Sequence, residues 1–277
     1  LMKAQESTLS AYPEPIRLDL EPLHAGTAAV PTYSLLSIAG NSVVINPVRE
    51  NTTPGEVLDF AAMGLPYETV GQLVKRKVLT FASGKSPKGG VDRIRSGVLL
   101  FGGRHIDEQK GRITLDNAKF VPQDFYDEEA FVKAHVELDD VLICKDGVRS
   151  GKVALATADV LMTTPTTAVP QPVRVPAMVN EHVFLVRVTD ADPATLLPEF
   201  LFLYWLSREG RAEIERSVSR SSVPGISRAR LAKVRIVIPD LATQTAFITR
   251  AAADAVEQGY CFMDLLNAVR ATSVTTP

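Results

Sequence analysis

Apolar positions recur at strand period in several short runs and at helical period in two longer ones, with glycine, proline and aspartate between them. The segment YETVGQLVKRKVLTFASG carries Val70, Leu73, Val74, Val78, Leu79 and Phe81 and predicts the opening strand or strands of a domain. Val98–Phe101 predicts a strand, Gly102 and Gly103 a tight turn, and Arg112–Leu115 a return strand. Val141–Cys144 and Val153–Leu155 predict a hairpin, because Asp146–Gly147 between apolar runs is a strong turn signal. Val183–Val188 alternates as a strand. Leu196–Val218 predicts a long helix punctuated at Gly210, with Leu197, Phe200, Leu201, Tyr204, Trp205 and Leu206 on one face. Phe202, Tyr204 and Trp205 could stack on bases, but aromatic residues on an apolar helix are assigned to the core.

The last elements are a polar loop from Ser219, a short helix, and a strand in which Val234, Ile236 and Ile238 alternate. From Asp240 to Ala271, Leu241, Phe247, Ile248, Ala252, Val256, Leu265, Leu266 and Val269 recur near helical spacing, and such an amphipathic helix needs a partner surface. At the other end, residues 1–50 are rich in proline, alanine and threonine and read as an arm with one or two short strands. Thr53 as N-cap, Pro54 at the first helical position and Glu56 in the first turn predict a helix that ends at Gly64–Pro66. The expected organisation is an arm (1–50), a leading helix (51–64), a β-rich domain (65–239) and a C-terminal helix and tail (240–277). The fold class is mixed α/β, of the α+β kind, with the terminal helix pairing against a partner helix.

A chain of 277 residues with 45% apolar content can bury its own core. Cys144 and Cys261 lie far apart between apolar neighbours, which suits reduced thiols and a cytoplasmic location. No apolar run reaches the ~18 residues of a membrane span, so no membrane partner is expected. The net charge of −2 hides an uneven distribution. Between Lys75 and Arg112 ten basic residues face Asp92, Asp107 and Glu108, and a second basic excess runs from Arg208 to Arg235.

These cations sit beside glycine in loops. Ser83–Gly97 carries Lys85, Ser86, Lys88 and Arg93; Arg104 and His105 follow Gly102 and Gly103; Arg149 and Lys152 flank Gly151; Arg220, Ser221, Ser222 and Arg228 surround Gly225. Such loops allow close backbone approach and expose amides and cations to phosphate, although each alone also reads as a solvated turn. The GKS at Gly84–Ser86 is not a P-loop: the glycine required five positions earlier is Leu79, and no helix evidently follows. His105 as a metal ligand lacks a spacing partner among His24, His135 and His182. Asp139, Asp140 and Asp146 read as acids of a solvated hairpin rather than a nuclease centre.

The order LPYETVGQLV, ASGKSPKGG, VLLFGGRHIDEQKGRI, DDVLICKDGVRSGKVAL, EHVFLVRV with LPEFLFLYWLSREGRAEI, and SRSSVPGISRARLAKVRIVIPDLATQTAFI resembles the target-recognition domain and following helix of a type I restriction-modification DNA specificity (S) subunit. The resemblance covers Leu65 to about Ala271 and suggests a half-length form with one recognition domain. The chain departs from the family at IPDLATQTAFI, where a Pro-Pro-Leu step and a Gln-Ile pair are common, and the arm before about Asn51 has no counterpart. The resemblance implies a non-catalytic protein without cofactor or metal that reads double-stranded DNA for an adenine methyltransferase subunit and, in some members of the family, for a restriction-translocase subunit. It also implies pairing, as a homodimer or with a second specificity half, through the terminal helix. The implied DNA-binding residues are Lys85, Ser86, Lys88, Arg93, Arg104, His105, Arg149, Lys152, Arg220, Ser221, Ser222 and Arg228, with Arg104, Arg149, Arg220 and Lys85 as base readers. The alternative is a scaffold of an anti-phage defence assembly that reads little or no sequence.

Overall fold

The computed structural model describes residues 59–61, 65–92, 94–107, 111–163, 171–189, 195–219 and 222–257. The N-terminal arm lies outside them, as does the helix expected after Thr53 apart from a turn at Phe60 and Ala61.

In chain order the elements are β1 (Tyr67–Thr69), α1 (Val70–Lys75), β2 (Leu79–Ser83), β3 (Val98–Phe101), β4 (Ile106–Asp107), β5 (Arg112–Ile113), β6 (Phe120–Val121) and α2 (Gln123–Tyr126). There follow β7 (Val141–Cys144), β8 (Val153–Leu155), α3 (Ala158–Leu161), β9 (Ala177–Val179), β10 (Val183–Val188), α4 (Pro198–Leu206), α5 (Arg208–Ser217), α6 (Arg228–Leu231), β11 (Arg235–Val237) and α7 (Leu241–Glu257). The architecture is mixed α/β and rich in sheet. Among the described residues the strands form a six-stranded sheet, β2-β10-β7-β8-β5-β4, a three-stranded sheet, β6-β3-β9, and the pair β1-β11.

The six-stranded sheet is the organising layer because its inner strands bury both faces. On β7, Val141 and Ile143 enter one apolar cluster while Leu142 and Cys144 enter the other; β8 divides Val153 and Leu155 from Ala154, and β10 divides Phe184 and Val186 from Val183 and Leu185. The period-two alternation of side chains makes this division automatic. The first cluster is completed by α1, α4, β11 and α7, the second by β3, β6 and β9.

Three expectations need correction. Val70–Lys75 is helical rather than strand, because Thr69 and Gln72 form a capping box: Gln72 N–H donates to Thr69 Oγ1 (3.2 Å) and Thr69 N–H to Gln72 Oε1 (2.7 Å). The return strand does not pair with β3. Gly102 opens a 3-10 turn that carries the chain into the other sheet, where β4 pairs with β5 and β5 with β8, while β3 lies between β6 and β9. The long helix is two helices broken at Ser207, not Gly210. Ser207 caps α5 by accepting from Gly210 N–H (3.1 Å), and a Cβ at Gly210 would lie 2.0 Å from Tyr204 O. Nor does α4 have one apolar face: Phe200–Leu206 are all buried, as expected of a helix covered on every side.

The arginines after Ser219 also differ in role. Arg235 is held by Glu213 of α5, donating through Nε (3.1 Å) and Nη2 (2.5 Å), and its guanidinium lies over Phe60 and Tyr67. It therefore fastens β11 to α5. Asp140, expected to be solvated, is fully buried and takes two 2.7 Å bonds from Arg187.

α7 begins where Gln244 is locked in place: its Oε1 accepts from Leu197 N–H (2.9 Å) and its Nε2 donates to Thr195 O (2.9 Å) and Pro239 O (2.8 Å). Phe247, Ile248 and Ala251 then bury against the domain, with Phe247 edge-on to Phe200. This part of the apolar stripe serves the chain's own core, not a partner helix. Leu265, Leu266 and Val269 lie outside the described residues. No helix among the described residues is long and apolar enough to cross a membrane.

Candidate nucleic-acid interface

Loops far apart in sequence are tied together beside one end of β7 and β10. Gly84 N–H donates to Asn180 O (3.2 Å) and Ser86 Oγ to Glu181 Oε2 (2.8 Å), which seats the glycine loop on the turn before β10. Gly84 is required there, since a Cβ would stand 1.7 Å from Val179 O. The glycine of the GKS triplet thus serves close packing. The β7–β8 loop joins the same turn through Lys145 Nζ, which donates to Glu181 O (3.1 Å). It also pairs with the loop before α6: Gly147 N–H donates to Pro224 O (2.9 Å), Ile226 N–H to Lys145 O (2.7 Å), and Asp146 bridges Gly225. Arg149 Nη1 donates to Arg104 O (3.1 Å), closing the set.

Between these loops lies a cavity of about 380 Å³. Leu100, Val91, Gly102, Gly103 and Cys144 line it together with Ser86, Asn180 and His182, and Arg104, Arg149 and Val148 border it. Arg104 and Arg149 are both exposed, two cations at one mouth. Opposite charges are interleaved. Lys119 Nζ donates to Asp92 Oδ1 (2.8 Å), and that bond with the lysine charge holds the Asp92 carboxyl below the usual range. His182 Nδ1 lies 2.9 Å from Asp146 Oδ1. Burial raises Glu181, but hydrogen bonds from backbone and from Ser86 outweigh it and leave the carboxyl more acidic than usual. Cys144 is buried and its thiol is pushed up to about 11 by burial, so it stays protonated at neutral pH. Among the described residues no group of three His, Cys, Asp or Glu side chains could hold a metal ion.

The structure separates the sequence candidates. Arg104 and Arg149 meet at the cavity. Lys85 and Lys88 are exposed on the loop after β2, and Ser86 is half-buried with its hydroxyl committed to Glu181. Lys152 is half-buried, and its backbone carries the loop through Cys144 N–H to Lys152 O (2.8 Å). Ser222 is exposed, whereas Arg228 lies at the start of α6 with its guanidinium 4.7 Å from the Phe81 ring. Arg93, Arg220 and Ser221 fall outside the described residues.

His105 is a correction. It is 2% exposed; Nδ1 accepts from Gly102 N–H (2.9 Å) and Nε2 faces Asn117 O (3.4 Å), so the neutral ring braces the 3-10 turn that presents Arg104. Burial lowers its pKa, which keeps it neutral and unsuited to a phosphate. The sequence reading missed Lys119, Asp92, Asp146, Asn180, His182 and Val148 as lining residues. Only Asp146 carried a signal, as the first residue of the Asp-Gly turn; the others reach the cavity through tertiary pairing.

No family model matches the chain, and no curated protein matches it. Among solved structures it is similar to the S subunit of a type I restriction-modification system from M. genitalium, with TM-score 0.42 and 14% identity over 74% of this chain and 42% of that one. Against the HsdS subunit from Thermoanaerobacter tengcongensis the TM-score is 0.42 and the identity 19%, over 81% of this chain and 43% of that one. A chain from a study of the assembly and conformational transition of the type I R-M system gives 0.43 and 18%, over 81% and 44%. The chain spans less than half the length of each.

Proposed function

We propose that the chain is the sequence-reading component of a DNA-modifying assembly, a type I specificity subunit with one recognition domain. The observation that carries this reading is the convergence of the 102–105 and 145–152 loops with residues 222–227, which sets exposed Arg104 and Arg149 together at one mouth beside the six-stranded sheet. Arginine can bond a guanine edge with two donors, and backbone amides and lysines beside it can hold phosphates and fix register. Lys88, Lys152 and Arg228 take the phosphate role in this scheme, and Arg220 and Lys85 remain further candidates for base contact. Residues 65–239 form the recognition domain, its first and last strands paired as β1 and β11. The catalytic step belongs to an adenine methyltransferase subunit, and cleavage to a restriction-translocase subunit. In this scheme the apolar recurrence that carries Leu265, Leu266 and Val269 pairs two such chains.

The test is selection of binding sites from a random duplex pool, followed by Arg104→Ala/Arg149→Ala. Each lost bidentate contact removes roughly 1–3 kcal/mol of base discrimination, so the variant should enrich no consensus while melting as the wild type does. An unchanged consensus and affinity would overturn the reading. The interleaved Asp92, Asp146 and Glu181 favour a second reading, a scaffold without DNA contact. A scaffold shows little salt-dependent binding to random duplex, whereas a DNA reader loses affinity steeply as salt rises.

A further inference from the structure

Among the described residues the two most exposed large apolar side chains are Val148 and Val223, at 87% and 64%. They come from different loops that the structure pairs. Asp146 bridges Gly225, and Gly147 N–H donates to Pro224 O (2.9 Å), so the next residue outward on each loop is a valine. The tip is firmly held: the single Ser150 hydroxyl proton is shared between Gly147 O (2.7 Å from Oγ) and Pro224 O (3.0 Å), and Lys152 N–H donates to Arg149 O (3.0 Å). Gly147 and Gly151 bracket it at φ 77° and 85°, a backbone that L side chains rarely adopt.

Single exposed apolar residues are ordinary, but here the two most exposed belong to the same braced edge, and Val148 immediately precedes Arg149. An apolar partner of matching size is therefore indicated. Two valines are far too little surface for a protein interface, which covers about 800 Å² per partner. They match a methyl group, and the apolar group that the major groove displays is the 5-methyl of thymine. A β-branched side chain has few rotamers to lose on such a contact.

We propose that Val148, with Val223 beside it, reads the 5-methyl group of a thymine adjacent to the base pair contacted by Arg149. The inference rests on the DNA reading proposed above and assigns that interface an apolar, methyl-specific element.

The full chain is first used to select its site from a random duplex pool. Each thymine of that site is then replaced singly by deoxyuridine, which keeps the base pair and removes only the methyl. Wild type should lose about fourfold in affinity at one or two positions next to the guanine read by Arg149, the worth of one buried methyl. Val148→Ser should bind thymine and deoxyuridine equally there and melt at the wild-type temperature. If no sequence is enriched, DNA reading itself fails and this inference with it. If a site is selected but lacks thymine, or the deoxyuridine series is flat, or the loss persists in Val148→Ser and in Val223→Ser, the methyl reading falls while DNA reading stands.

Discussion

Asp139 shows how one residue can carry strain and charge together. It sits in the left-handed region at φ 68°, half-buried at the turn into β7. Burial first, then the charges of Glu199 and Asp140, push its carboxyl from 3.8 up to about 6. A raised acid pKa means the folded state binds the proton more tightly than the unfolded chain, so the ionised group weakens the fold. That penalty is fully present above about pH 6 and is gone below about pH 4. Asn tolerates the left-handed conformation and carries no charge. Asp139→Asn should therefore add on the order of 1–2 kcal/mol at pH 8, discounted for partial exposure, and nothing at pH 4. Burial also lowers His105, whose neutral state favours the fold at high pH, but that contribution is common to both proteins and cancels. Thermal unfolding at the two pH values checks the prediction; an equal gain at both would trace the effect to packing instead.

At the scale of elements, legibility followed the range of the determining interaction. β3, β7, β8 and β10 stand where apolar runs placed them, as do α6 and β11, because burial of both sheet faces is written into consecutive residues. What escaped depended on contacts distant in sequence. The β5 strand belongs with β4 and β8, a choice made by the Gly102–His105 turn, and the Arg235 cation is consumed by Glu213, more than twenty residues upstream. Of the candidate site, Arg104 and Arg149 were legible as cations beside glycine; their meeting across the cavity was not, nor was the commitment of Ser86 to Glu181. The α4–α5 break tests this distinction. Gly210 looks like a helix interruption, yet it is helical, and its missing Cβ admits Tyr204 O and the Trp205 Cα. A Cβ would lie 2.0 Å from that backbone oxygen, which cannot move without the helix. Gly210→Ala should cost about 1–3 kcal/mol as an overpacked site, despite alanine being the better helix former. Denaturant titration measures it, and a stabilised variant would show that the two helices can separate freely.

Under the proposed function the central question for the whole molecule is how one recognition domain gains enough specificity. A single domain reads few base pairs, and fixed spacing between two domains would turn two weak half-sites into one tight site. Gln244, Phe247, Ile248 and Ala251 of α7 are spent on its own domain. Under the proposed function the pairing surface then comes from Leu265, Leu266 and Val269, which continue the apolar recurrence toward the C-terminus. Leu265→Asp/Leu266→Asp puts four charges into a two-chain seam and touches none of the contacts that seat α7. Light scattering should show wild type as a dimer and the variant as a monomer with an unchanged melting temperature. On duplexes carrying one half-site the two should bind alike. On the complete split site the variant should be weaker by about a hundredfold or more, the loss of an intramolecular second contact. A dimer that survives the two aspartates would move the interface elsewhere, and a lowered melting temperature would make these leucines part of the domain's own core.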